Sequence, residues 1–486
     1  MSSPRTMAPR PACSVVASVD RLPSALPPGL DGVDVRADLA GDLSAPALAR
    51  LGVAEVVYSL RSAAEGGRFT GSAEERQYRL LCAAHCYDVV ELEADRDLTP
   101  RLLSALPPHR RRIAWRGTVS GIGELMVKLR SMSSVPAGLY LLECQGQRVE
   151  DGMVPLRLLS KLRRGDVTAF AGGAGGWSRY VAPLLGAPTL FSGSDVDGQR
   201  LVHPAGDYPF LVPREIEHVY GILGTSVRGS LSPRLHNAAY RALGIHACYL
   251  PFTVPDLPAF WKSVVRRGFD ELGLCFGGAT VVSPHKEAAA RLAGSASEDV
   301  RATRAANLLV RRQDRVWRAV TTDPAGVVET LHRKGISLDG RRVAVVGCGG
   351  AGRGAAAGLL RAGVRPVLVN RGPTRGRWAA GLLDLPYSPL DRFDPADYGL
   401  VVHATPVRDY LPFPVERLDP GGALVDLAYG PAETALVTAA RRRGLAIVDG
   451  WDVLAVEAAR QFRLLTRRTM PPGIVETVLA QARGPR

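Results

Sequence analysis

At 486 residues, 46% of them hydrophobic and 22% charged, the chain is too long for one hydrophobic core and too apolar for a disordered segment, so about two to four globular domains are expected. The formal charge of +14 is carried almost wholly by arginine, spread along helical stretches without interleaved aromatics, which speaks against a nucleic-acid partner and for solvated faces plus sites for small anions. No apolar run reaches the roughly 18 residues of a membrane span, and the N-terminal MSSPRTMAPRPAC lacks an apolar core of signal-peptide length, so no membrane partner and a cytoplasmic location are expected. Seven cysteines without CxxC spacing read as reduced thiols. Cys82, His85 and Cys86 share a helix face, but no second cluster completes a ligand set, and no metal is expected.

From Ser14 to about Phe210 short apolar runs alternate with helical stretches. The expected strands are SVVASV, GVDVRADL, AEVVYSLR, YDVVELEA, RRIAWRG, AGLYLLEC, DVTAFAGG and APTLFSG, with helices such as AEERQYRLLCAAHC and SGIGELMVKLRSM between them. Eight such units in about 200 residues match a (β/α)8 barrel, whose chemistry sits at the C-terminal strand ends. The Pro-rich stretch 203–215 reads as a linker. A new strand begins in EHVYGILG, a second α/β unit runs to about Val320, and a dinucleotide-type unit starts at Arg341.

That last unit carries RRVAVVGCGGAGRGAAAGLLRAG, a strand, a glycine-rich turn and a helix in order. Gly347, Gly349, Gly350, Ala351 and Gly352 allow a tight turn and close approach of a pyrophosphate to the free N–H groups of the helix start, although a plain tight turn has the same glycines. The next strand, RPVLVN, ends in Asn370-Arg371 with Arg375 beyond, not in the acid that would hold a ribose 2′-hydroxyl. Two guanidiniums there suit a 2′-phosphate, and NADP is the expected cofactor. Upstream, Ser230 and Ser232 are two hydroxyls placed either to grip one carboxylate or merely to cap a helix. Lys286 stands on a strand-to-helix turn after Pro284 and His285, and Asn307 and Asp323 follow in AANLL and VTTDPAG.

Together these motifs resemble the shikimate dehydrogenase family over residues 217–485. The carriers are Ser230-x-Ser232-Pro233, Pro284-x-Lys286, Asn307, Thr322-Asp323-x-x-Gly326, the glycine turn, Asn370-Arg371, LVDLAYGPAETALV with Tyr429, and the helix GWDVLAVEAARQFRLLT. The resemblance implies a ring carboxylic acid held by the serines, Asn307 and Tyr429, with its reacting oxygen near a catalytic Lys286 and Asp323, and Thr405 beside the nicotinamide. Three positions depart from the family's pattern. Val282 replaces a substrate-facing threonine, Glu457 stands where a glutamine meets the ring hydroxyls, and the loop after Ala404-Thr405 reads Pro406-Val407-Arg408. An added carboxylate beside a hydroxylated acid is unfavourable without a cation or proton to meet it, which points to a ring acid bearing an amine or lacking a hydroxyl.

The first half resembles type I 3-dehydroquinate dehydratases through GVDVRAD with Arg36, SLRSAAEGGRF with Arg61, GAGGWSR with Arg179, and DGQ with Gln199. That family's chemistry needs a Schiff-base lysine and a histidine shuttle. At those positions this chain carries Leu141, in AGLYLLECQ, and Arg116. Lys128 and Lys161 lie in helical stretches expected outside the barrel. Dehydration is therefore expected to be lost, with Arg36, Arg61, Arg179 and Gln199 left as ligand-binding relics.

The whole reads as an α/β protein: a degenerate dehydratase-like barrel over 11–210, a substrate-binding α/β domain over 214–322, a Rossmann NADP domain over 323–450, and C-terminal helices over 451–486 returning to the substrate domain. The expected activity is an NADP-dependent interconversion of 3-dehydroshikimate and shikimate or a related ring acid. The alternatives are action on quinate or an amino-substituted analogue, and a non-catalytic ligand-binding regulator.

Overall fold

The computed structural model describes residues 13–21, 26, 30–192, 195–197, 200–202, 216–227, 229–312, 314–430 and 432–483. Its contacts divide the chain into two compact units, Met1–His218 with His246–Cys275, and Val219–Ile245 with Phe276–Arg486. No helix among the described residues is long and apolar enough to cross a membrane.

In the first unit, β1 (Ser14–Val19), β2 (Gly32–Arg36), β3 (Glu55–Ser59), β4 (Val89–Glu93), β5 (Arg111–Gly117), β6 (Leu139–Cys144), β7 (Val167–Ala171) and β8 (Thr189–Ser192) pair in parallel. Their order is β7-β6-β5-β4-β3-β2-β1-β8, the succession of a barrel. No ladder joins β7 to β8 among the described residues. The ring of Phe170 on β7 nevertheless lies 5.9 Å from that of Phe191 on β8, and both share an apolar cluster with Val16, Ala114 and Leu141. The strands mix aliphatic residues with buried charged ones such as Asp34, Glu91, Arg112 and Arg116, as both faces of a barrel strand are covered. The helix Ala73–Cys86 shows how locally these elements are specified: Ser72 caps it by accepting from the Glu75 N–H at 3.2 Å, and it buries Leu80, Ala83 and Ala84.

Contacts group His246–Cys275 with this first unit. Within it the Trp177 ring lies 5.7 Å from Phe252, 5.7 Å from Phe260 and 6.3 Å from Phe269.

The second unit holds two sheets. In one, His218–Gly224, Cys275–Val281, Leu308–Arg311, Trp317–Val320 and Ser295–Ala296 are successive neighbours. The helix Gly450–Thr466 lies against it, with Phe462 5.5 Å from Tyr240 and the Tyr220 hydroxyl donating to the Leu465 carbonyl at 3.3 Å. The other sheet is wholly parallel, in the order Tyr387–Pro389, Val367–Asn370, Val343–Val346, Leu400–His403, Ala423–Asp426 and Ala446–Val448. Numbered by chain order within the sheet this is 3-2-1-4-5-6, the doubly wound arrangement whose topological switch falls between Val343–Val346 and Leu400–His403.

Candidate active site

Lys286 opens the helix Lys286–Leu292, and Asp323 opens the helix Asp323–Arg333. The Lys286 Nζ donates to both Asp323 carboxylate oxygens at 2.8 Å. Asp323 is buried and needs further donors, and the amide of Asn307 supplies one at 2.8 Å. The other amide proton of Asn307 goes to Thr322 Oγ1 at 2.9 Å, while its carbonyl oxygen accepts from the Thr322 N–H at 2.9 Å. Both donors of Asn307 are thus committed inside the protein, and only its oxygen is left for a ligand. Gln461 extends the network by donating to Thr322 Oγ1 at 3.2 Å and accepting from Thr280 Oγ1 at 3.1 Å. Neither Gln461 nor Thr280 is conspicuous in the sequence; the signal was the four-residue spacing of Glu457 and Gln461 on one helix face.

Glu457 reaches the same place. Its side chain fills the space over Gly326, where an added Cβ would meet Glu457 Cγ at 2.8 Å and Oε1 at 2.9 Å. Burial and the neighbouring Asp323 carboxylate push its pKa up from 4.5 to about 8, against the opposing pull of Lys286. The shift favours the protonated form, in which the carboxyl donates to Asp323, whereas the sequence alone suggests an added anion here. Burial likewise raises the Tyr429 phenol, which bonds to Ser230. Ser230 Oγ accepts from the Ser232 N–H at 3.2 Å and lies 3.3 Å from Ser232 Oγ, so the two hydroxyls adjoin at the start of the helix Ser232–Leu243. Val282 follows the strand Cys275–Val281, with Cγ2 occupying the space beside Gly224.

The glycine-rich turn leaves the strand Val343–Val346 at the switch point. Gly347 has φ 110°, a left-handed value that favours glycine, and a Cβ there would lie 2.8 Å from Thr405 Cγ2. A Cβ on Gly352 would strike the Gly347 carbonyl oxygen at 1.8 Å, so the turn closes only without side chains. Three glycines of the helix Gly350–Arg361 face the Lys286–Asp323 segment at four-residue spacing. Added Cβ atoms would meet Lys286 Cβ at 3.0 Å from Gly350, Asp323 Cβ at 2.5 Å from Gly354, and the Pro324 carbonyl at 2.1 Å from Gly358. The backbone of the nucleotide helix and the Lys–Asp pair are therefore held together by absent side chains.

Asn370 accepts from the Cys348 N–H at 3.1 Å and braces the turn. Arg371 is exposed and has no partner among the described residues. Arg375, expected to meet the 2′-phosphate, has protein partners in this structure. It pairs with Glu287 and donates to the Cys348 carbonyl at 3.2 Å, and the buried Arg353 reaches the same Glu287 at 2.9 Å and the same carbonyl at 2.9 Å. Thr405 lies 2.5 Å from the buried His403, which lies 2.9 Å from Asp426. No local spacing in the sequence marks this His–Asp pair.

The first unit gathers a second set of charges. Arg116 is buried and pairs with Glu65 at 3.0 Å, Glu91 at 2.9 Å and Glu143 at 3.1 Å, three acids that hold its guanidinium firmly charged. Leu141 is buried in the apolar cluster, opposite Ala114 in register, while Glu143 stands opposite Arg116. Lys128 pairs with Asp95 at 3.0 Å on the helix Ile122–Met132, and Lys161 is exposed at the end of Met153–Lys161. Arg36 is taken by Asp38 at 2.7 Å, and Arg179 lies over the Phe170 ring at 5.3 Å. Arg61 stands 3.6 Å from Asp34, 4.0 Å from Glu91 and 3.9 Å from Glu143. Gln199 lies outside the described residues.

The parallel sheet, its glycine-rich turn and the adjoining Lys–Asp pair define a dinucleotide-binding α/β protein with an ammonium–carboxylate pair beside the nucleotide helix. Residues 222–309 match the shikimate dehydrogenase substrate binding domain. Shikimate dehydrogenase (NADP(+)) of Moorella thermoacetica is 35% identical over 281 residues, covering 54% of this chain and 92% of that protein. That of Rubrobacter xylanophilus is 38% identical over 259 residues, covering 49% and 88%. The crystal structure of the Aquifex aeolicus shikimate dehydrogenase shares the fold with TM-score 0.50 at 24% identity, covering 54% of this chain and 97% of that one. The chain belongs to the shikimate dehydrogenase family.

Proposed function

We propose that the second unit interconverts shikimate and 3-dehydroshikimate with NADP(H). The observation that supports this best is the Lys286–Asp323 pair, fixed by Asn307 and set against the glycines of the nucleotide helix. The nucleotide, when bound, supplies or accepts the hydride. In ketone reduction the Lys286 ammonium gives a proton to the substrate oxygen, and in alcohol oxidation the lysine and Asp323 take it back. Ser230 and Ser232, backed by Tyr429, hold the ring carboxylate. Glu457, with its acid proton hydrogen-bonded to Asp323, offers a ring hydroxyl an acceptor oxygen, as the carbonyl of an amide would. Arg371 is the group free to meet a 2′-phosphate, and both relatives reported above are named for NADP(+). Initial rates with shikimate, quinate and an amino-substituted analogue, each with NADP+ and NAD+, test this. The largest kcat/KM is expected for shikimate with NADP+, and a preference for another ring acid reassigns the substrate.

We further propose that the first unit does not carry Schiff-base dehydration. Leu141 is an apolar floor residue, Arg116 is engaged by three acids, and both lysines between residues 30 and 192 sit on helices around the strands.

A further inference from the structure

His403 and Asp426 are both fully buried, and no part of the mechanism above uses them. They are register partners on adjacent parallel strands, at the C-terminal ends where a doubly wound sheet binds its ligand. Every polar atom of the pair is engaged. Asp426 Oδ1 accepts from the Ala428 N–H at 3.1 Å and lies 2.9 Å from His403 Nδ1, while Oδ2 accepts from the Thr434 hydroxyl at 2.5 Å. His403 Nε2 lies 2.5 Å from Thr405 Oγ1.

An apolar pair would fill this space without the desolvation that buried ionisable groups cost. What the polar pair provides is direction, because its chain of bonds runs from the sheet interior and ends on one group in the loop, the Thr405 hydroxyl. Asp426 can only accept, so Nδ1 carries the proton of that bond, and in the neutral ring Nε2 is then the acceptor for the Thr405 O–H. The Thr405 oxygen is left as an acceptor with the Val407 N–H at 3.4 Å, and its methyl rests against Gly347 of the glycine turn.

We infer that His403, held by Asp426, is a positioning residue that orients Thr405 as a hydrogen-bond acceptor for an N–H or O–H donor of the bound nicotinamide nucleotide. This rests on the proposed NADP site, and it assigns the orientation of Thr405 to a buried dyad rather than to the loop itself. The carboxamide amine or a ribose hydroxyl of the nucleotide is the class of donor that fits.

The test is calorimetric titration of NADPH into the full chain, with steady-state kinetics alongside. Thr405→Val keeps the side-chain shape and removes only the hydroxyl, so it reads the bond even if His403→Ala folds poorly. Thr405→Val is expected to weaken NADPH binding and raise its KM about tenfold with kcat changed less than about threefold, as for loss of one buried hydrogen bond. His403→Ala is expected to do the same, and the double variant to be no worse than either single one, because both break one chain of bonds. Unchanged NADPH affinity in Thr405→Val, or single effects that multiply in the double variant, overturns the inference. Arg371→Ala is the control. If it weakens NADPH binding while Thr405→Val does not, the positioning role fails and the NADP reading stands; if neither changes binding, both fail.

Discussion

Glu457→Gln removes a carboxyl whose pKa burial and Asp323 raise, and its consequence depends on pH with a definite sign. The unfolded chain ionises this group near 4.5, whereas the folded chain retains its proton until about 8. Below about pH 4.5 both states hold the proton and the group's contribution is intact. As pH rises toward 8 only the unfolded state gains by ionising, so stability is lost through that window and the loss levels off above it. At about 1.4 kcal/mol per pH unit the full span gives a ceiling of about 5 kcal/mol. The carboxyl keeps some solvent exposure and shares its field with Lys286 and Asp323, so a difference of about 1 to 3 kcal/mol is expected. Urea unfolding of the wild type and Glu457→Gln at several pH values reads it. The two should agree near pH 4.5, and the variant should be the more stable by about 1 to 3 kcal/mol above pH 8. Activity should follow the same group: kcat/KM of the wild type falls above about pH 8 as the donor ionises, and the variant lacks that limb. A stability difference that is constant with pH, or a wild type that gains stability as pH rises from 5 to 8, refutes the protonated-acid assignment.

Gly354→Ala places a methyl 2.5 Å from Asp323 Cβ, so the aspartate must shift by about 1 Å, and kcat is expected to fall about ten- to a hundredfold; an unchanged kcat in a folded variant removes the glycine contact from the mechanism. Glu287→Gln loosens the grip on Arg375, and the ratio of kcat/KM for NADP+ over NAD+ is expected to rise severalfold; a falling ratio assigns Glu287 to shaping the turn. Borohydride treatment with 3-dehydroquinate, followed by mass spectrometry, is expected to leave the first unit unmodified, and a trapped adduct on Lys128 or Lys161 overturns the outward placement of those lysines.

The barrel strands were legible because each carries a short apolar run set between helical or turn-forming stretches, and their eight positions coincide with the observed strands. The glycine turn, Lys286 and Asp323 were legible because their spacing is local. The rest depends on neighbours far apart in sequence. Glu457 reads as an anion until Asp323 is placed beside it, and Arg375 reads as a phosphate ligand until Glu287 is found on it. Gly354 and Gly358 look like weak helix formers, and only the packed helices show what a side chain there would strike. His403 and Asp426 lie 23 residues apart at two strand ends, and only the parallel register makes them a pair.

The most direct test is the initial rate of NADP+ reduction by shikimate in the full chain, measured side by side for the wild type, Lys286→Ala and Asp323→Asn, with NADP+ binding followed by calorimetry in each. The wild type is expected to reduce NADP+, and each substitution to lower kcat at least about a hundredfold while the nucleotide binds nearly as before, since the pair acts in proton transfer and not in holding the cofactor. A wild type that leaves NADP+ unreduced by shikimate, or substitutions whose effect is confined to KM, contradicts the assignment.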